Sequence, residues 1–128
     1  MFTLHQINEI HSKFGMAETI PQYLNALRKI GVVKYDSFIA DGHSEYYDEH
    51  GYKEVSSPVH DVYKIAESSD KGRFLEQVES HKKGETDYFE MSSSFAESGI
   101  EKWTFDTNNM TLTYYDKQGQ AILVEKFE

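Results

Sequence analysis

Gly31-Val-Val-Lys-Tyr35 opens a segment that reaches Tyr46-Tyr-Asp-Glu-His-Gly51, and Gly99-Ile-Glu-Lys-Trp103 opens another that reaches Tyr114-Tyr-Asp-Lys-Gln-Gly119. The two run without a gap at one constant offset, the one that carries Gly31 onto Gly99. Gly31, Lys34, Tyr46, Tyr47, Asp48 and Gly51 each meet an identical residue, Val32 meets Ile100, and Tyr35 meets Trp103. A repeat constrains architecture before any other feature does. Whatever forms between Gly31 and Gly51 should form again between Gly99 and Gly119.

The repeated stretches read as strands and turns. Residues 32–40 are rich in β-formers, and Asp41-Gly42 signals a tight turn. His43 to Tyr47 pairs back. Asp48-Glu-His-Gly51 makes the next turn, and Tyr52 to Ser56 forms a shorter strand. Pro58 interrupts, and Val59 to Ala66 reads as a further strand leading out. In the second half, Ile100 to Asp106, Met110 to Tyr115 and Ala121 to Phe127 form an antiparallel meander. Thr107-Asn-Asn109 suits left-handed turn conformations, and Asp116-Lys-Gln-Gly119 repeats the Asp48 turn.

Helices precede each set. Thr3-Leu-His-Gln6 is a capping box, with Phe2 and Ile7 placed as a hydrophobic staple. Leu4, Ile7, Ile10 and Phe14 fall on one stripe, and Gly15 stands as a stop. Thr19-Ile-Pro-Gln22 is a second box; Tyr23, Leu24 and Leu27 supply the buried face, and Gly31 ends it. Ser68-Ser-Asp70 caps a helix with Phe74, Leu75 and Val78 inward, ending near Gly84. Asp87-Tyr-Phe-Glu90 is a box that follows the one at Thr19 by the offset of the repeat, with Tyr88, Met91, Ser92 and Phe95 inward and Gly99 as the stop. The fold class is therefore α+β. Two helix-helix-strand-strand-strand units, about 1–66 and 67–128, make one domain. Its antiparallel sheet has about six strands, with helices on one face.

Composition bounds the function. A chain of 128 residues is one domain in size and buries roughly two-thirds of its unfolded surface. It has no cysteine, so disulfides, thiolate nucleophiles and cysteine metal sites are excluded. No apolar run approaches the roughly 20 residues of a membrane span. Met1-Phe-Thr-Leu-His5 lacks the basic start and apolar core of a signal peptide, which makes the cytoplasm the expected compartment. Net charge is −9, with 6 basic and 10 acidic residues up to Ser68 and 7 and 12 after it. No basic stripe is present for nucleic acid to recognise. The acids are scattered rather than aligned, which suits solubility better than mimicry of DNA.

Side chains alternate across a strand, so the faces can be assigned. Tyr35, Tyr46, Trp103, Phe105, Met110, Leu112 and Tyr114 go beneath the helices. Tyr47 and Tyr115 go outward as mates, surrounded by Lys34, Lys102, His43, Glu45, Thr111 and Thr113. These five, Tyr47, Tyr115, Lys34, Lys102 and His43, are the candidate binding residues. The plainer reading is a half-solvated sheet face built from residues that pack well across strands. Turn geometry explains the repeated Asp and Gly, and core packing explains the inward tyrosine; neither requires the outward one.

Other constellations carry less. His43, His50 and His60 lie near Asp41, Asp48, Glu49 and Asp61 without metal-ligand spacing, so no metal or cofactor is expected. Ser92-Ser-Ser94 lacks the setting that activates a serine nucleophile. Lys83-Gly84-Glu-Thr86 lacks the spacing of a phosphate loop.

Ser98-Gly-Ile-Glu-Lys-Trp103, Tyr114-Tyr-Asp-x-x-Gly119, Ala40-Asp-Gly-His43 with Tyr46-Tyr47, and Gly84-Glu-Thr-Asp-Tyr88 together resemble domain-of-unknown-function family 1398, the YdfO-like small bacterial proteins. The resemblance covers the chain from Phe2 to its end. It implies an α+β fold and a bacterial cytoplasmic setting, with members found in prophage regions and some labelled phage envelope protein. It supplies no activity, substrate or catalytic residue, and the envelope label finds no support in the residues. The expected function is a non-enzymatic accessory protein that binds a small molecule or a protein partner on the open sheet face. A homodimer across that face is the alternative, and a small enzyme with a His/carboxylate site is the second. Neither nucleic acid nor membrane is an expected partner.

Overall fold

The computed structural model describes residues 2–14 and 19–127, and the stop expected at Gly15 lies outside them. The element order is α1 (Leu4–Phe14), α2 (Ile20–Lys29), β1 (Lys34–Phe38), β2 (Ser44–Tyr47), β3 (Lys53–Val55), α3 (Lys71–Lys82), α4 (Tyr88–Glu97), β4 (Ile100–Asp106), β5 (Thr111–Asp116) and β6 (Ala121–Lys126). The strands form one antiparallel sheet in the order β3-β2-β1-β4-β5-β6. The fold is thus α+β. Shifted by the offset that carries Gly31 onto Gly99, α2 coincides with α4 at both ends, and the spans of β1, β2 and β3 fall within β4, β5 and β6. The central β1–β4 register pairs Asp36 with Thr104, its own counterpart at that offset.

Local chemistry explains most boundaries. The box at Thr3 and Gln6 closes: the Gln6 amide donates to Thr3 Oγ1 (3.2 Å) and the Thr3 amide to Gln6 Oε1 (2.9 Å). The Asp87–Glu90 box closes the same way (2.8 and 3.0 Å), and Asp70 caps α3 by accepting from the Arg73 amide (3.1 Å). The box expected at Thr19 does not form. Its hydroxyl donates back to the Phe14 carbonyl (2.5 Å), so it ties α2 to the end of α1 instead of capping α2. At the 107–110 turn the left-handed residue is Met110 (φ 57°), not an asparagine. Asp106 Oδ1 accepts from the amides of both Asn108 and Asn109 and so holds the asparagines in an Asx turn that puts the reversal one residue later.

The core lies between the helices and the predicted inner face of the sheet. Tyr23 of α2 meets Tyr35 and Phe105 edge-on (6.1 and 6.5 Å), and Phe74 of α3 and Phe95 of α4 meet Tyr114 (5.0 and 5.9 Å). Phe2, Ile7, Leu24, Leu27, Phe74 and Phe95 are essentially inaccessible. Leu75 is exposed rather than inward, because α3 turns only Phe74 and Val78 fully to the core.

No strand forms over 59–66. The amides of Val59 and His60 donate to the Asp41 carbonyl (2.8 and 3.2 Å) and that of Tyr63 to the Ala40 carbonyl (2.7 Å). Those three donors go to the β1–β2 loop and the Ala66 amide goes to the Ala96 carbonyl (2.9 Å), so the segment is tied to a loop and a helix end instead of to a neighbouring strand.

Candidate functional site

The strand registers place three rows of side chains on the face opposite the helices. Reading from β3 to β6, the first row runs Lys53, Tyr47, Lys34, Asp106, Thr111, Lys126. The second runs Val55, Glu45, Asp36, Thr104, Thr113, Val124. The third holds Phe38, Lys102 and Tyr115, with His43 stacked on the Phe38 ring at 4.5 Å and 5°. All five residues expected from the sequence lie on this face.

They form two groups rather than one. Lys34 pairs across the strands with Tyr47 and sets its ammonium 4.9 Å from the ring centre. Lys102 pairs with Tyr115 in the same way at 5.5 Å. Such contacts contribute about 0.5–1 kcal/mol each at exposed sites. Strand spacing puts the two lysine Cα atoms about 14 Å apart and the two tyrosines about 20 Å apart.

From Tyr47 along β2 to the β1–β2 loop runs a hydrogen-bonded line that the sequence did not disclose. Asp41 Oδ1 meets His43 Nδ1 (2.6 Å), His43 Nε2 meets Glu45 Oε2 (3.0 Å), and the Tyr47 hydroxyl donates to Glu45 Oε1 (2.9 Å). Lys53 also reaches Glu45 (3.4 Å). Partial burial pushes the His43 pKa down, but the bonds to Asp41 and Glu45 outweigh it and hold the imidazole above its ordinary value. The His43 bond is the largest cause of the lowered Glu45 pKa; at Asp41, partial burial acts upward and the bonds from His43 more than offset it. Burial, then the bond to Glu45, pushes the Tyr47 hydroxyl up to about 12. Tyr47 therefore stays neutral and a donor at any ordinary pH.

Asp36, at the centre of the face, was missed. It is 4 % exposed, accepts from Thr104 Oγ1 (2.5 Å), and has the Lys102 ammonium at 3.7 Å. Phe38 was missed too; it carries His43 and the Lys102 ammonium (5.7 Å). Alternation outward from Lys34 would have named both.

The three histidines considered for metal do not gather. His50 is exposed on the β2–β3 turn, and His60 stacks on Tyr63 (4.4 Å). Among the described residues, no group of three His, Asp or Glu side chains could hold a metal ion. Two concavities lie away from the open face. One of about 280 Å³ sits between α3 and α4, lined by Arg73, Gln77 and Met91. The other, about 430 Å³, sits by Phe2, Arg28 and Asp48. Among the described residues, no helix is long and apolar enough to cross a membrane.

No curated protein matches the chain. A family model described as protein of unknown function (DUF1398) matches residues 8–126, nearly its whole length. The chain belongs to the DUF1398 family.

Proposed function

We propose that this is a non-enzymatic, cytoplasmic binding module, built from a doubled ααβββ unit, that receives a protein partner on its open sheet face. The observation that carries the reading is the pair of matched lysine–tyrosine couples, Lys34 with Tyr47 and Lys102 with Tyr115. Core packing requires neither. A protein partner suits this surface better than a small molecule does, because small ligands favour concave sites and this surface is the exposed side of a sheet. An enzymatic role for His43 is disfavoured because both its ring nitrogens face carboxylates, so the imidazole donates from both and has no lone pair free to accept a substrate proton.

The test is a random peptide library selected against the chain, with the selected peptides mapped by amide chemical shifts. Peptides that perturb the outer rows of β1, β2, β4 and β5, and that bind Tyr47→Ala/Tyr115→Ala at least tenfold more weakly, support the reading. Peptides that settle in the α3–α4 groove overturn it.

A homodimer remains the second reading, favoured by the exposed Val55 (45 %) and Val124 (58 %) at the two ends of the middle row. Light scattering across a dilution series separates the two. A dimer that persists to nanomolar concentration favours the second.

A further inference from the structure

The open face is less acidic than the chain as a whole, and its most accessible charged side chains are lysines. The face carries Lys34, Lys53, Lys102 and Lys126, in a chain with 13 basic and 22 acidic residues. Its carboxylates are engaged by neighbours, although only Asp36 is buried: Asp41 and Glu45 keep 24 % and 21 % of their side chains accessible. Asp36 is 5 % accessible at its side chain and bonded to Thr104; Glu45 accepts from Tyr47 and bonds to His43; Asp106 is occupied by Asn108 and Asn109. Lys34 and Lys126 are exposed; Lys53 is 46 % accessible at its side chain and reaches Glu45, and Lys102 is 29 % accessible with Asp36 at 3.7 Å.

On the reading that this face binds a partner, we infer that the partner is an acidic peptide segment, presenting carboxylates about 14 Å apart to Lys34 and Lys102. Electrostatic complementarity selects an anion. It also disfavours a second copy laid face to face, since lysine would meet lysine. A nucleic acid fits less well, because each outward tyrosine ring is already covered by its own lysine, which leaves less aromatic surface for base stacking. Spacing sets the length: 14 Å is about four residues of extended chain, so a dipeptide reaches one lysine and a longer segment reaches both.

The experiment titrates the full chain with a twelve-residue glutamate peptide, a serine peptide of equal length, and a twelve-residue oligothymidylate, read by amide shifts. The glutamate peptide should perturb residues around Lys34, Tyr47, Lys102 and Tyr115 and bind at least fivefold more weakly at 300 mM than at 50 mM salt. Diglutamate should bind at least tenfold more weakly than the twelve-mer. Lys34→Gln/Lys102→Gln should lose at least tenfold in affinity. Because Lys102 lies beside buried Asp36, Lys34→Gln/Lys126→Gln serves as a second variant and should lose at least threefold. Glutamate shifts that fall elsewhere, affinity unchanged in both variants, or tighter binding of oligothymidylate would each overturn the inference. If library peptides map to the face but the glutamate peptide is no better than serine, the acidic partner falls and the binding face stands.

Discussion

Asp48 and Asp116 occupy the same place in two turns and make the same bonds. Asp48 Oδ1 accepts from the amides of His50 and Tyr52, both at 2.8 Å; Asp116 Oδ1 accepts from those of Gln118 (3.0 Å) and Gln120 (2.9 Å). This turn chemistry was legible in the repeated Tyr-Tyr-Asp-x-x-Gly pattern, because it depends on near neighbours in sequence. Asp116 is 2 % exposed although residues 117–121 of its turn are exposed, so its replacement removes a buried acceptor from the Gln118 and Gln120 amides. Asp116→Ala should cost about 2–3 kcal/mol in denaturant unfolding, and Asp48→Ala less, because Asp48 is only half-buried. His43 gives a residue-scale pH dependence. Its folded pKa lies above the free value, so its contribution is complete below about pH 6.5 and is lost as pH rises through the folded value. Asp41 and Glu45 act in the opposite sense, contributing above their free values and losing that contribution as pH falls. Thermal midpoints at pH 6 and pH 8.5 should therefore differ more in the wild type than in His43→Gln, with the wild type losing stability toward pH 8.5. Equal differences would show that His43 titrates as it does in the unfolded chain.

At the scale of elements, boundaries set by neighbours in sequence could be read in advance, and those set by distant contacts could not. The boxes at Thr3 and Asp87 formed as written. The one at Thr19 did not, because its hydroxyl bonds instead to the carbonyl that ends α1. Residues 59–66 carry β-formers but give backbone donors to Ala40 and Asp41, in a loop that β2 and β3 separate from them along the chain. Gly99 joins local and distant causes. It ends α4 with φ +85°, and a Cβ there would sit 2.6 Å from the Ser68 carbonyl oxygen. Gly51 has a similar φ (+88°) but open space around it. Gly51→Ala should therefore cost about 1 kcal/mol of strain, and Gly99→Ala about 3 kcal/mol or more, because the 68–70 segment must also move. Equal losses would mean that the 68–70 segment yields freely.

The whole molecule divides its aromatic residues between two faces. Each Tyr-Tyr pair sends one ring into the core and one onto the open face. The inward members, Tyr46 and Tyr114, are each 8 % exposed; Tyr46 packs on Tyr35 (4.9 Å) and Tyr114 on Phe74. The outward members meet lysines. Alternation made this division legible from sequence. It places Asp36 on the open face but could not reveal that residue's burial or the Asp41–His43–Glu45–Tyr47 line, which depend on rotamers and on which strands are neighbours. The comparison that tests the central claim most directly is unfolding of Tyr46→Ala, Tyr114→Ala, Tyr47→Ala and Tyr115→Ala under one set of conditions. The inward pair should lose about 3–4 kcal/mol each, as large core truncations do, and the outward pair about 1 kcal/mol or less. Losses of about 3 kcal/mol or more at Tyr47 and Tyr115 would make them core residues and contradict the assignment of the open face as a binding surface.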